Sequence, residues 1–177
     1  MNADQKNQCW YALQVRTRFE KAVAAALRSK GFTEFLPVYT TRRQWSQRVA
    51  EIELPLFPGY VFCSFDPAEK RVLVASTPGV IGLVGFGGKA APVDTDEIEA
   101  IHRVLRMGIA AEPWKYVETG QRVRVVHGAL AGLEGIFVEA KKNHRLLLSV
   151  SLLQRSVAIQ IDSAWVAPVN GAMSALV

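Results

Sequence analysis

Leu56-Phe57-Pro58-Gly59-Tyr60-Val61-Phe62 sets three aromatic rings around a Pro-Gly break, with no catalytic group beside them. Pro58 fixes φ and has no N–H to donate, while Gly59 supplies conformational freedom, so the chain can turn sharply and begin a strand at Tyr60. Along Tyr60-Val61-Phe62-Cys63-Ser64-Phe65, alternation puts Tyr60, Phe62 and Ser64 on one face and Val61, Cys63 and Phe65 on the other. Both faces are apolar. Such a strand is either sandwiched between layers of its own domain or leaves one side open to a partner.

With 177 residues, 50% hydrophobic and 21% charged, the chain suits one medium or two small globular domains rather than a disordered segment. Met1 to Gln8 are polar, with no apolar stretch behind a basic start. No apolar run approaches the ~18 residues that cross a bilayer, so a cytoplasmic protein without membrane contact is expected. Cys9 and Cys63 are too few for a disulfide framework and lie in no CxxC, which makes both small core hydrophobes. His102, His127 and His144 are far apart, and none pairs with a nucleophile or a ligand set at metal-binding spacing. Gly85-Phe86-Gly87-Gly88-Lys89 lacks the GxxxxGK[ST] frame of a phosphate loop. No catalytic residue, cofactor or metal is expected.

Net charge is +5, and its placement is uneven. Between Arg16 and Arg48 eight basic residues face only Glu20 and Glu34, a local +6, while the remainder sums to −1. A concentrated basic region suits nucleic-acid phosphates or an acidic protein partner, although many such runs are solvated helix faces.

Trp10 to Val15 alternates like a strand, and Phe19 to Lys30 then carries Phe19, Val23, Ala26 and Leu27 at helical spacing, with Arg18, Lys21 and Arg28 opposite. Phe35 to Tyr39 and Val49 to Leu54 read as extended arms of an exposed hairpin around the polar segment Arg42 to Arg48. Asp66-Pro67 starts a short helix, Val80 to Phe86 forms an apolar strand, and Asp94 with Glu97 offers a capping box before a helix bearing Ile98, Ile101 and Leu105. This mixture predicts an α+β sandwich with a four-stranded, mainly antiparallel sheet over residues 9–107. The pattern lapses over 108–117, read as a linker. Short strands over 118–168 then predict a small β-barrel.

Gly120-Gln121-Arg122-Val123-Arg124-Val125-Val126-His127-Gly128-Ala129-Leu130-Ala131-Gly132-Leu133-Glu134-Gly135-Ile136-Phe137-Val138 resembles a KOW motif. Glycines at 128, 132 and 135 serve tight turning and close backbone approach, and Val123, Val125, Ile136 and Val138 are expected to face inward. KOW modules occur in ribosomal and transcription proteins. Ahead of this one stand Trp10-Tyr11, the basic first helix, the Leu56–Phe62 segment, Thr77-Pro78-Gly79-Val80-Ile81-Gly82-Leu83-Val84-Gly85 and the capped helix at 94. Together these resemble the NGN domain of the NusG family, and the likeness covers about residues 9 to 168. The compact hairpin and the lack of long insertions look closer to specialised paralogs such as RfaH and the UpxY-like regulators.

The resemblance implies an N-terminal NGN-type sandwich, a C-terminal SH3-like KOW barrel, and a transcription elongation or antitermination factor that performs no chemistry. In this family an apolar NGN patch docks on the clamp helices of the largest RNA polymerase subunit and suppresses pausing. Carried over by motif, Tyr60 and Phe62 lie in that patch, with Tyr11, Leu56 and Phe57 near it, and Lys70 and Arg71 reach the second polymerase jaw. The patch is expected to be uncovered. Upstream or non-template DNA would meet Arg16, Arg18, Lys21, Arg42, Arg43 and Arg48, with Trp45 available to stack on an unpaired base. The family uses a barrel aromatic to contact Rho and the ribosome; here Ser151-Leu152-Leu153-Gln154-Arg155 puts Leu153 in its place, leaving Leu152 and Leu153 for an apolar contact. The alternatives are a housekeeping NusG, or a KOW-type RNA-binding or ribosome-associated protein that holds RNA directly.

Overall fold

The computed structural model describes residues 8–45, 48–117, 120–140 and 143–169. The first part of the chain runs β1 (Cys9–Val15), α1 (Glu20–Ser29), β2 (Thr33–Phe35), β3 (Val38–Trp45), β4 (Arg48–Pro55), β5 (Tyr60–Phe65), α2 (Pro67–Ala75), β6 (Val80–Leu83), β7 (Gly85–Phe86), β8 (Lys89–Ala90), β9 (Pro92–Val93) and α3 (Thr95–Arg106). It continues through β10 (Ala111–Lys115), β11 (Gln121–Val125), β12 (Glu134–Ala140), β13 (Asn143–Val150), β14 (Arg155–Gln160) and β15 (Val166–Pro168). Among the described residues no helix is long and apolar enough to cross a membrane.

The N-terminal sheet has the order β2-β5-β1-β6, and the two-residue β9 also pairs with β1. All of its pairings are antiparallel. Its central strand β5 is covered on both sides, the first of the two outcomes its sequence allows. Val61, Cys63 and Phe65 pack with Val23, Ala24 and Leu27 of α1 and Val74 of α2. Phe62 packs on the other side with Ile98, Ile101 and Val104 of α3 in a core that continues through Val123, Leu146, Val150 and Ile159 of the second sheet. One apolar core therefore joins the two sheets.

The helices start where the sequence provides caps. Asp66 accepts the Ala68 N–H at 2.9 Å with Pro67 as the first helical residue of α2, and Asp94 accepts the Asp96 N–H at 2.9 Å at the start of α3. Glu97 does not complete the expected capping box; its carboxylate is engaged elsewhere, as described below. Phe19, expected on the buried side of α1, is 46% exposed just ahead of the helix, and Val23, Ala24 and Leu27 fill that side. The hairpin is present as β3 paired with β4, from Val38↔Pro55 to Trp45↔Arg48. The side chains of Trp45 and Arg48, two of the expected nucleic-acid contacts, lie outside the described residues.

The C-terminal sheet has the order β10-β14-β13-β12-β11-β15. Its first strand, β10, falls inside the segment expected to be an unpatterned linker. Pro113 hid it, and an edge strand that pairs only with β14 can hold a proline where the N–H would face away from that neighbour. The register of β12 also departs from the expectation. Val123 pairs with Gly135 and Gln121 with Phe137, so Gly135 and Phe137 share the inner face with Val123 and Val125, while Ile136 and Val138 take the other. The loop sets this offset: Val125 N–H donates to Leu133 O at 2.8 Å and Gly132 N–H donates to Val125 O at 2.7 Å.

Gly135 leaves the space that this register requires. A Cβ there would sit 2.5 Å from the Leu147 carbonyl oxygen and 2.9 Å from Leu146 Cδ1. Gly135→Ala is expected to destabilise the protein by about 2 kcal/mol through overpacking. Equilibrium urea unfolding should show a lower midpoint at unchanged slope.

Candidate protein-docking and nucleic-acid surfaces

Phe57-Pro58-Gly59-Tyr60 follows the type II turn pattern: Gly59 has φ +84° and the Tyr60 N–H donates to Phe57 O at 3.1 Å. The Gly59 N–H is used as well, donating to Oε1 of Glu20 at 2.9 Å. Glu20 is only 5% exposed, so this bond accounts for a carboxylate in the interior and pins the turn to the first turn of α1. Val15 N–H donates to Gly59 O at 2.8 Å, tying the same turn to the end of β1.

Beyond the turn the rings gather. Phe57 and Phe62 meet edge-to-face at 5.6 Å and 87°, Phe35 lies 6.2 Å from Phe62, and Trp10 and His102 flank Phe35 at 6.4 and 5.1 Å. This cluster is not the open patch the sequence suggested. Of the four residues expected there, Leu56, Phe57 and Phe62 are 2%, 1% and 0% exposed and Tyr60 is half-buried. They are enclosed because α3 and the C-terminal sheet close over that face, a packing that alternation within one strand does not encode. Tyr11 does not share the face. Its pairing with Cys63 sends it to the opposite side, against Phe65 at 4.8 Å, and Trp10, paired with Ser64, takes the expected position.

Burial is the larger cause that raises the Tyr11 phenol above its ordinary value, with charge on Cys9 and Asp66 adding to it. Lys70 and Arg71 are exposed on α2, beside the exposed Val72 and Leu73 and behind the sheet from Phe62.

Polar contacts fix how the C-terminal sheet sits. Glu97 accepts the Ser151 N–H at 3.1 Å on both carboxylate oxygens and the Ser151 hydroxyl at 2.6 Å. Arg103 Nη2 donates to Ala129 O at 2.7 Å and Ala131 O at 3.0 Å, and the Arg155 guanidinium lies 5.7 Å from the centroid of the Tyr60 ring. Exposed contacts of this kind contribute ~1 kcal/mol or less each, so the shared apolar core supplies most of the adhesion and the polar groups its orientation. Leu152 and Leu153 lie in the 3-10 turn Ser151–Leu153 that Glu97 holds, and both pack into that core. An open groove of about 960 Å³ remains between α3 and the second sheet, lined in part by His102, Arg106, Glu134 and Ser149.

The cations divide into paired and unpaired. Lys21 Nζ lies 3.0 Å from Glu53 and Arg42 Nε lies 3.1 Å from Glu51. Arg16, Arg18 and Arg43 are exposed and make no ion pair among the described residues. Arg18 holds φ +73° in the turn before α1, an unusual conformation for a long side chain. Among the described residues no group of three His, Cys, Asp or Glu could hold a metal. His102 and His144 pack on rings, the latter stacked on Phe137 at 5.1 Å.

The family model described as transcription termination factor nusG matches residues 8–102. The chain belongs to the NusG family. The NusG of Buchnera aphidicola subsp. Acyrthosiphon pisum, named a transcription termination/antitermination protein, is 30% identical over 92% of this chain and 96% of its own length. The NusG of Escherichia coli K12, with the same name, is 29% identical over 89% and 94%. The solved structure described as domain interaction in Thermotoga maritima NusG shares the fold, with a TM-score of 0.56 at 20% identity over 90% of this chain and 96% of that one. Within this NusG-family chain, Trp10, Glu97, Arg103 and Arg155 are the site residues that sequence reasoning missed. Glu97 carried a signal, its spacing from Asp94, that pointed to a different partner.

Cys63 lies under α1 and α2, where burial first and the Glu34 charge second push its thiol from an ordinary 9.0 to about 12. The folded state therefore holds this proton more tightly than the unfolded chain. The resulting stability is fully present below pH 9 and is lost as pH rises toward about 12. Urea midpoints should fall over that window more steeply in the wild type than in Cys63→Ala. Below it, a thiol reagent should label the exposed Cys9 and spare Cys63.

Proposed function

We propose that this protein is a transcription elongation and antitermination factor that binds RNA polymerase through the Tyr60–Phe62 side of its N-terminal sheet. The clamp helices of the largest polymerase subunit are the docking site, and the effect is to suppress pausing or termination. The observation that carries the reading is the ring cluster built on the Pro58-Gly59 turn, which is larger than α3 alone covers and is finished by a second sheet. Rigid aromatics suit such a contact because they bury much area at low entropic cost. Family membership and relatives named for termination and antitermination support it.

Docking through this face requires the C-terminal sheet to move off it. Apparent affinity is then the intrinsic affinity scaled by the fraction of open molecules. Lys70 and Arg71 would meet a second polymerase surface from α2, and upstream or non-template DNA would pass the start of α1 and the hairpin. Release of the second sheet would also expose the turn carrying Leu152 and Leu153 to Rho or the ribosome. That housekeeping role is a second reading, favoured by relatives that match over nearly their whole length.

Gel filtration with purified core RNA polymerase tests the proposal. Wild-type protein should co-elute, and Tyr60→Ala should weaken binding about tenfold, equivalent to 1.4 kcal/mol, while circular dichroism shows it still folded at the temperature of the assay. Glu97→Gln combined with Arg155→Ala should strengthen binding several-fold by favouring the open form. Failure of both wild type and the opened variant to co-elute would refute the docking.

A further inference from the structure

The hairpin of β3 and β4 has two chemically different faces, and the register separates them. Directly opposed residues of an antiparallel pair share a face, and successive pairs alternate. Thr40↔Glu53, Arg42↔Glu51 and Gln44↔Val49 fall on one face; Tyr39↔Leu54, Thr41↔Ile52 and Arg43↔Ala50 fall on the other. Both acidic residues of the hairpin are on the first face. There Glu51 engages Arg42 and Glu53 engages Lys21 of α1, so the two cations meet two carboxylates and the local charge cancels.

The second face carries no acid. Tyr39 packs against the shared core, Leu54, Ile52 and Thr41 are half-buried, and Arg43 stands exposed opposite the small Ala50. The last pair, Trp45↔Arg48, holds register positions of the same parity. Side chains on opposite faces of a strand pair point apart, and their charged ends are separated by roughly 10 Å, about one Debye length in ~0.1 M salt. The carboxylates of the first face therefore screen Arg42 far more than Arg43.

We propose that the hairpin meets the phosphates of a nucleic-acid strand on one face only, the face of Arg43, while Arg42 is engaged within the hairpin by Glu51 and Lys21 ties the hairpin to α1 through Glu53. This inference rests on the nucleic-acid contact proposed above and narrows it. A strand lying on this face would place its phosphates at Arg43 and its sugars over Ala50 and Ile52, where no carboxylate repels them. An exposed arginine beside a small residue reaches an extended phosphate backbone without needing a shaped pocket.

Arg42→Ala and Arg43→Ala remove the same charge from adjacent residues, so comparing them cancels the effect of net charge and leaves the effect of the face. The full chain is titrated against a fluorescein-labelled oligothymidine and against a duplex with an unpaired bubble, by anisotropy, between about 50 and about 200 mM salt. Arg43→Ala should weaken binding about fivefold and lower the magnitude of the salt slope by about 0.7 on the single strand. Arg42→Ala and Lys21→Ala should stay within about twofold of wild type and keep its slope, and Arg43→Lys should recover most of the affinity. Circular dichroism melts check that each variant is folded. Equal losses for Arg42→Ala and Arg43→Ala, with wild type binding, would overturn the one-faced contact and leave the nucleic-acid reading standing. No binding by wild type at the lowest salt would overturn both, and preferential loss in Arg42→Ala would assign the contact to the opposite face.

Discussion

The rings of Phe57 and Phe62 meet almost at right angles, and everything on that side of the N-terminal sheet is arranged to keep them dry. A single strand with bulky groups on both faces cannot be satisfied by helices on one side. Here α1 and α2 cover Val61, Cys63 and Phe65, and α3 covers only part of the opposite face. The remainder is closed by the second sheet, which therefore shares its core with the first. A protein built this way has an interior that is also an interface between its two sheets, and the ring cluster sits at that join.

Much of this was legible because short-range chemistry decides it. The Pro58-Gly59 turn, the Asp66 and Asp94 caps, the polar hairpin and the glycines of the loop before β12 each follow from one residue's steric or hydrogen-bonding limits. Features that depend on what lies opposite were less legible. Alternation told that Trp10 and Tyr11 face opposite ways but not which faces which layer, and pairing with Ser64 and Cys63 resolved it. Glu97 had a local use in the capping box and a distant one at Ser151, and only the position of the second sheet chooses between them. The register of β12 turned on two loop hydrogen bonds, and one residue of slip exchanged Ile136 and Val138 for Gly135 and Phe137.

The charge pattern shows the same division. A local excess of six positive charges is visible in the sequence, but its effective field depends on carboxylates that arrive from elsewhere. Glu53 reaches Lys21 across 32 positions and Glu51 reaches Arg42 across nine, while Arg28 is taken by Glu34. Lys30 donates to Leu73 O and the Thr77 hydroxyl, so among the described residues of this region Arg16, Arg18 and Arg43 remain exposed without an ion pair or a side-chain hydrogen bond, distributed over the turn before α1 and one side of the hairpin.

Buried Glu20 has a mechanical meaning beyond its hydrogen bond to Gly59. Together with the bond from Val15 N–H to Gly59 O, it laces the cationic turn ahead of α1 to the turn that launches Tyr60, while Arg16 N–H bonds Gly79 O just before β6. The span between those arginines and that ring is thus a rigid gauge. Its length is set by hydrogen bonds among β1, α1 and the turn, none of which involves the second sheet.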